Sequence, residues 1–286
     1  MINSRHRNTS WLIWYVGLTF TFYSVYNITY YALNSKEACA SDRQEFLDAN
    51  RLRNGIWLGL GLSGGSLGLV SSALQFKSEI DQLPTINLGG DVWGSESRGL
   101  YVQGRFGLGA ELGLPPQYGG KSLFYNQHQL AIGGQYRWHM SLKPLSPSIQ
   151  VRLGLYGQSQ YVDDQNPTLF VNRATYGPET SIGLTVPASD KLWIRATGGV
   201  SVIILVREDP ADSGEVNQGM QWSLSLDGVF NLNDRWGVYV HGAYSIEEVS
   251  FSGAGTRAGG VINAKSTQDT WSTCLGARYR MGKLGD

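Results

Sequence analysis

The chain has 286 residues, with 23 Lys+Arg against 23 Asp+Glu, and this balance excludes a general nucleic-acid binder, which carries a basic surface. Charged residues are 16% of the chain, against about 25% for soluble domains, while Gly numbers 37 and Tyr 15. A mean hydropathy of -0.20 excludes a helical membrane protein of many spans, and two cysteines, Cys39 and Cys274, are too few for a disulfide framework and have no metal-site spacing.

Arg5 and Arg7 precede an apolar run from Trp11 to Leu33, followed by Ala38-Cys39-Ala40. A positive start, an apolar core and a small-x-small site describe a secretory signal peptide cleaved after Ala40. The run is also long enough to cross a bilayer as an uncleaved helix, so residues 1–40 read as a signal peptide or an N-terminal membrane helix. Residues 41–54 are polar and charged and read as a linker.

From residue 55 onward the chain alternates apolar and polar residues, the period of β-strands. Strands are expected from Ile56 to about Ser72, Thr85–Gly94, Gly99–Glu111, Gln127–Trp138, Ser148–Tyr161, Tyr176–Val186, Leu192–Val206, Gln218–Phe230, Trp236–Phe251 and Thr270–Met281. The hairpin of Gln218–Phe251 shows the pattern most fully, with Trp222, Leu224, Leu226 and Phe230 opposite Gln221, Ser223, Ser225 and Asp227. Each strand is near the roughly 9–11 residues that cross a bilayer. Connections alternate in length: 94–98, 139–147, 187–190 and 231–235 are the short set, and 73–84, 112–126, 162–175, 207–217 and 252–269 the long set. Short turns at one end and long loops at the other are the habit of a transmembrane barrel, whereas Greek-key crossings of a sandwich mix the order. The fold expected is all-β: a transmembrane antiparallel up-and-down barrel of about ten strands over residues 55–286.

The polar face carries Arg105, Arg137, Arg152, Arg195, Arg278 and Arg280. An arginine facing lipid near the midplane costs about 2–4 kcal/mol, so these residues, with Asp227, are expected to line the lumen. Asp91, Glu111, Asp227 and Glu247 are available to pair with them. Trp138, Trp222, Trp236 and Trp271 fall on the apolar face near strand ends, where interfacial girdles belong.

Other motifs are weaker. Gly59-Leu60-Gly61-Leu62-Ser63-Gly64 matches a dinucleotide fingerprint by letters but lies within a strand, and Gly119-Gly120-Lys121-Ser122 reads as a loop tip. Asp163-Asp164 and Glu208-Asp209-Pro210-Ala211-Asp212 carry carboxylates of the kind that hold calcium or a basic partner, with solvated loop charge the plainer reading. Ser252–Asp269 is glycine-rich, with Arg257 and Lys265 placed to meet anionic lipopolysaccharide or a partner, or to sit in a mobile loop.

The alternation, the loop lengths and the sorted faces resemble the outer-membrane β-barrel superfamily of Gram-negative bacteria over roughly residues 55–281. The likeness is architectural and brings no catalytic motif, cofactor or metal. It implies a bacterial outer-membrane location, lipid or lipopolysaccharide as surroundings, an envelope protein as a partner and no nucleic acid. The ten-stranded proteases of that superfamily use acidic pairs and a histidine near the rim. Here no Asp-x-His occurs, and His128, His139 and His241 are scattered. A small barrel leaves a lumen that side chains fill, so a structural or interaction role is expected, with external loops as the binding surface. The alternatives are a narrow solute channel and a barrel hydrolase.

Overall fold

The computed structural model describes residues 54–114, 119–120, 122–141, 145–163, 169–257 and 260–281. The signal or membrane-helix segment and the linker as far as residue 53 lie outside the described residues. Among the described residues there is no helix, and twelve β-strands follow in order: β1 (Gly55–Val70), β2 (Gln75–Trp93), β3 (Arg98–Gly107), β4 (Ala110–Gly113), β5 (Ser122–His139), β6 (Ser148–Val162), β7 (Asn172–Pro187), β8 (Leu192–Val202), β9 (Leu205–Asp209), β10 (Glu215–Asn231), β11 (Trp236–Ser252) and β12 (Lys265–Arg280). All pairings are antiparallel. β1 bonds to both β2 and β12, which closes the sheet. β4 continues β3 between β2 and β5, and β9 continues β8 along β7, so the wall has ten staves.

The lower end of the barrel holds the turns 94–97, 188–191 and 232–235, and one device closes all three. The first turn residue donates its backbone N–H to the residue that follows the turn: Gly94 to Arg98, Ala188 to Leu192, Leu232 to Trp236. The second is Ser95, Ser189 or Asn233, whose side-chain oxygen accepts the backbone N–H of that same following residue at 2.8–3.0 Å. Short polar side chains that satisfy their own backbone are what such sites select.

Outward positions form a continuous apolar wall: Leu58 and Leu60 on β1, Leu153 and Leu155 on β6, Leu224 and Leu226 on β10, and Leu275 on β12 are all exposed. Trp236 and Trp138 border this wall below, each packed on a tyrosine, Tyr279 at 4.9 Å and Tyr136 at 4.4 Å. Trp222 and Trp271 border it above, beside Ile246 and Tyr244 on the neighbouring stave. The steps from Trp236 to Ile246, at about 3.4 Å each and a tilt of about 40°, give a band about 26 Å tall. A barrel's hydrocarbon-facing band is about 25 Å. Satisfying every backbone group inside a closed sheet is what allows strands to stand in lipid.

The staves do not stop at the upper border, and here the structure corrects the reading from sequence. The connection expected to be long at 73–84 is a tight turn at 71–74, with Ser71 N–H donating to the Leu74 carbonyl at 2.8 Å. β1 and β2 run on to 16 and 19 residues. In this upper part the faces exchange character. Phe76, Ile80 and Leu83 point inward, while Gln75, Lys77 and Glu79 point out. Slips of parity accompany the change, beside the register shifts at Ser63/Gly65 and Val216/Gln218. Gly109, at φ 102°, separates β3 from β4, so Leu112 faces inward and Glu111 faces out. Glu111 is therefore no lumen partner. The gap between β8 and β9 likewise turns Val206 and Glu208 inward.

Candidate functional site in the barrel lumen

Of the residues expected to line the lumen, Arg105, Arg137, Arg152, Arg195, Asp227 and Arg278 stand at inward positions, and Arg280 shares the parity of Arg278 at the lower end of β12. They do not form one cluster, because their heights differ.

Near the lower mouth Arg137 lies over the Trp93 ring at 4.0 Å and Arg278 over Trp193 at 4.8 Å. Both arginines line a cavity of about 30 Å³ together with Asp91 and Arg195. Just above, two buried ion pairs cross between staves. Arg152 meets Asp91 at 3.2 Å, and Arg195 meets Asp227 at 2.9 Å. Asp227 also accepts the Tyr239 hydroxyl at 3.0 Å and lies 2.7 Å from His241 Nδ1. Gln150 donates to Gln135, which also accepts from Arg152.

The middle of the lumen holds a chamber of about 130 Å³, lined on one side by small residues such as Ser181, Thr197, Gly199 and Ser223 and elsewhere by Gln103, Gln129 and Gln221. At its lower edge the Tyr101 hydroxyl reaches across the lumen to donate to Glu179 at 2.8 Å. Gly154 makes that crossing possible, because a Cβ there would collide with the Tyr101 hydroxyl oxygen and the Ile132 carbonyl. Above the chamber a third buried ion pair, Arg173–Glu247 at 2.8 Å, spans from β7 to β11. Glu247 accepts Thr175 Oγ1 at 3.1 Å, and Gln158 donates to Gln268 at 2.9 Å, which in turn donates to the Tyr125 hydroxyl at 3.0 Å.

Tyr125 belongs to the uppermost layer, an apolar plug. Leu69, Leu83, Leu112, Val249, Phe251 and Val261 fill the lumen there, with Phe170 edge-on to Phe76 at 5.0 Å. The loops are clamped over the plug. Arg257 turns inward, pairs with Glu208 at 2.9 Å and donates to the Leu169 carbonyl at 3.1 Å. Burial lowers its guanidinium below the ordinary value, and Glu208 opposes that shift. Asp212 accepts Thr256 Oγ1 at 3.0 Å. These contacts correct two expectations. Arg257 is not an exposed cation facing lipopolysaccharide, and Glu208 and Asp212 hold loops rather than forming an open cation site. Among the described residues no group of acidic, histidine or cysteine side chains could hold a metal ion. Asp164 lies outside the described residues.

Arg173, Glu179 and Gln268 were not singled out from sequence. The signal for Arg173 was present: Arg173, Thr175 and Glu179 alternate with Ala174, Tyr176 and Pro178, but they precede or open the weak strand expected from Tyr176.

No protein-family model matches the chain, and no curated sequence does. Among solved structures it is similar to the outer-membrane protease OmpT from Escherichia coli, at 12% identity over 80% of this chain and 97% of that one, with a TM-score of 0.46. It is also similar to the outer-membrane protein OprG from Pseudomonas aeruginosa, at 10% identity over 82% and 99%, with a TM-score of 0.41. The translocator domain of the autotransporter NalP from Neisseria meningitidis matches at 12% identity over 85% and 98%, with a TM-score of 0.40. Likeness this distant carries no activity across. Closed, antiparallel and even in stave number, apolar outside and polar inside, the chain has the architecture of an outer-membrane β-barrel.

Proposed function

We propose that the chain stands in a bacterial outer membrane as a sealed barrel with a structural or interaction role. Its surroundings are outer-membrane lipid, including lipopolysaccharide, its partner is another envelope protein met by the upper loops, and it has no catalytic role. The observation that supports this reading is the plug: the upper lumen is filled by buried side chains such as Leu83, Leu112, Tyr125 and Val249. Side chains packed to this degree leave no continuous aqueous path through the layer. The competing reading, a narrow solute channel, has the central chamber in its favour but requires the plug to leave. Planar-bilayer recording tests the two. The purified barrel is expected to give no unitary steps above the lipid baseline. Reproducible steps of one size, insensitive to detergent carry-over, would overturn the sealed reading and establish the channel.

A further inference from the structure

Four carboxylates of the lumen are held in ion pairs. Asp91 is joined to Arg152, Asp227 to Arg195, Glu247 to Arg173 and Glu208 to Arg257. Arg105 and Glu179 are not so joined. Arg105 makes no ion pair among the described residues, and its buried Nη2 has no hydrogen-bond partner. Glu179 accepts the Tyr101 hydroxyl and forms no ion pair among the described residues. Both line the same central chamber.

Register explains why they do not meet. Tyr101 and Glu179 lie on one row of the sheet, through the pairs Tyr101–Gly133, Gly133–Gly154 and Gly154–Glu179. Arg105 is four residues above Tyr101 on β3, about 13 Å along the strand. Arg105 therefore stands high in the chamber and Glu179 low, where Arg152 of the Arg152–Asp91 pair also lines the space. The wall includes Ser181, Thr197, Gly199, Ser223 and Ser245, small side chains that leave space and offer hydroxyls, beside Gln129 and Gln221. A buried guanidinium nitrogen without an acceptor is costly unless something supplies one. Water alone would supply it, but water gives no reason for an opposite charge at the far end of the same space.

We propose that the central chamber binds a small zwitterion, with its carboxylate on Arg105 and its ammonium on Glu179. A guanidinium holds a carboxylate through two parallel N–H donors, and a carboxylate beside a phenol hydroxyl accepts an ammonium. A cavity of about 130 Å³ has room for several waters or for one solute of about seven heavy atoms. The class that fits is an amino acid whose two charges are separated by a short chain. The apolar plug lies above the chamber and the Arg152–Asp91 and Arg195–Asp227 layer below it, so the ligand enters by displacing side chains of one of these layers. Binding of this kind needs no conduction, and it would stand whether or not the barrel conducts.

The test uses the full barrel in detergent, with titration calorimetry and saturation-transfer NMR. The probes are glycine, 4-aminobutyrate and 6-aminohexanoate, with butyrate and butylamine as singly charged controls. The expected result is saturable binding of 4-aminobutyrate, at least about tenfold tighter than either control. Arg105→Gln and Glu179→Gln should each weaken it by a similar factor. Should either variant fail to fold, Ser223→Leu fills the chamber from the opposite wall and should abolish binding while heat-modifiable mobility on gels is retained. Absence of saturable binding by every probe, equal affinity for the singly charged controls, or full binding by the Ser223→Leu barrel would each overturn the proposal and leave a chamber that holds water only.

Discussion

The Arg173–Glu247 pair offers the sharpest test of how the upper lumen is held. Both side chains are 2% exposed, so solvent screening does not discount their interaction. Arg173 Nη2 donates to Glu247 at 2.8 Å and to Gln268 at 3.4 Å. Glu247 further accepts Thr175 at 3.1 Å and Gln158 at 3.5 Å. Arg173→Met leaves the carboxylate with neutral donors alone, and Glu247→Leu leaves the guanidinium with Gln268 and Ser266. Removing one member of a buried pair costs about 3–5 kcal/mol, whereas replacing both by apolar residues of similar volume is often close to neutral. The pair lies directly under the apolar plug, so Met and Leu together would extend that layer downward. The double variant is expected to be no less stable than the better single variant, a coupling of at least about 2 kcal/mol. Reversible urea unfolding in phospholipid vesicles, followed by tryptophan fluorescence, measures all four corners of the cycle. Additive single losses would refute the coupling, and single losses below about 1 kcal/mol would refute the claim that the pair is desolvated.

Two further outcomes follow from the faces of the wall and from one close approach. Leu226→Arg, at mid-height on the outer face, should cost about 2–4 kcal/mol in the same unfolding assay, while Ser252→Arg, above the aromatic border, should stay within about 0.5 kcal/mol; equal costs would mean that the apolar wall does not face lipid. Gly154→Ala should cost about 1–3 kcal/mol, because the new methyl displaces the Tyr101 hydroxyl, while Gly134→Ala, with open space around it, should be neutral; a neutral Gly154→Ala would show that the Tyr101–Glu179 crossing has room to move.

The ten staves were legible because each carries apolar and polar residues at period two through the membrane band. Leu224, Leu226 and Phe230 against Ser223, Ser225 and Asp227 can be read without any structure. The upper extensions were not legible by the same rule. Gln75, Lys77 and Glu79 alternate as strictly as any membrane segment, but with the polar residues outside. A search for strands with an apolar lipid face passes over them and reports a loop. Glu111 was misplaced for a different reason, since parity counted from Arg105 fails across Gly109. Period two names a face only while the ladder is unbroken. Partners across the lumen were illegible on principle. Arg173 and Glu247 are 74 residues apart, Tyr101 and Glu179 are 78, and alternation gives a face but neither a height nor an opposite stave.

The inversion of faces and the sealing of the lumen are one feature. A stave that projects above the membrane meets water outside, so its outer residues turn polar. Its stability there must come from burial, and the only volume available for burial is the lumen. Long staves and an apolar plug therefore come together, and the ion pairs below occupy the depth where the outside is still apolar. This makes opening by melting of the plug expensive. Burial of a Leu, Val or Phe side chain contributes about 1.5–3 kcal/mol. Exposing only Leu83, Leu112, Val249 and Phe251 would forfeit about 6–12 kcal/mol, comparable to the whole stability of a folded domain at about 5–15 kcal/mol. Opening a channel through that layer while the upper staves stayed folded would therefore cost on the order of the protein's whole stability.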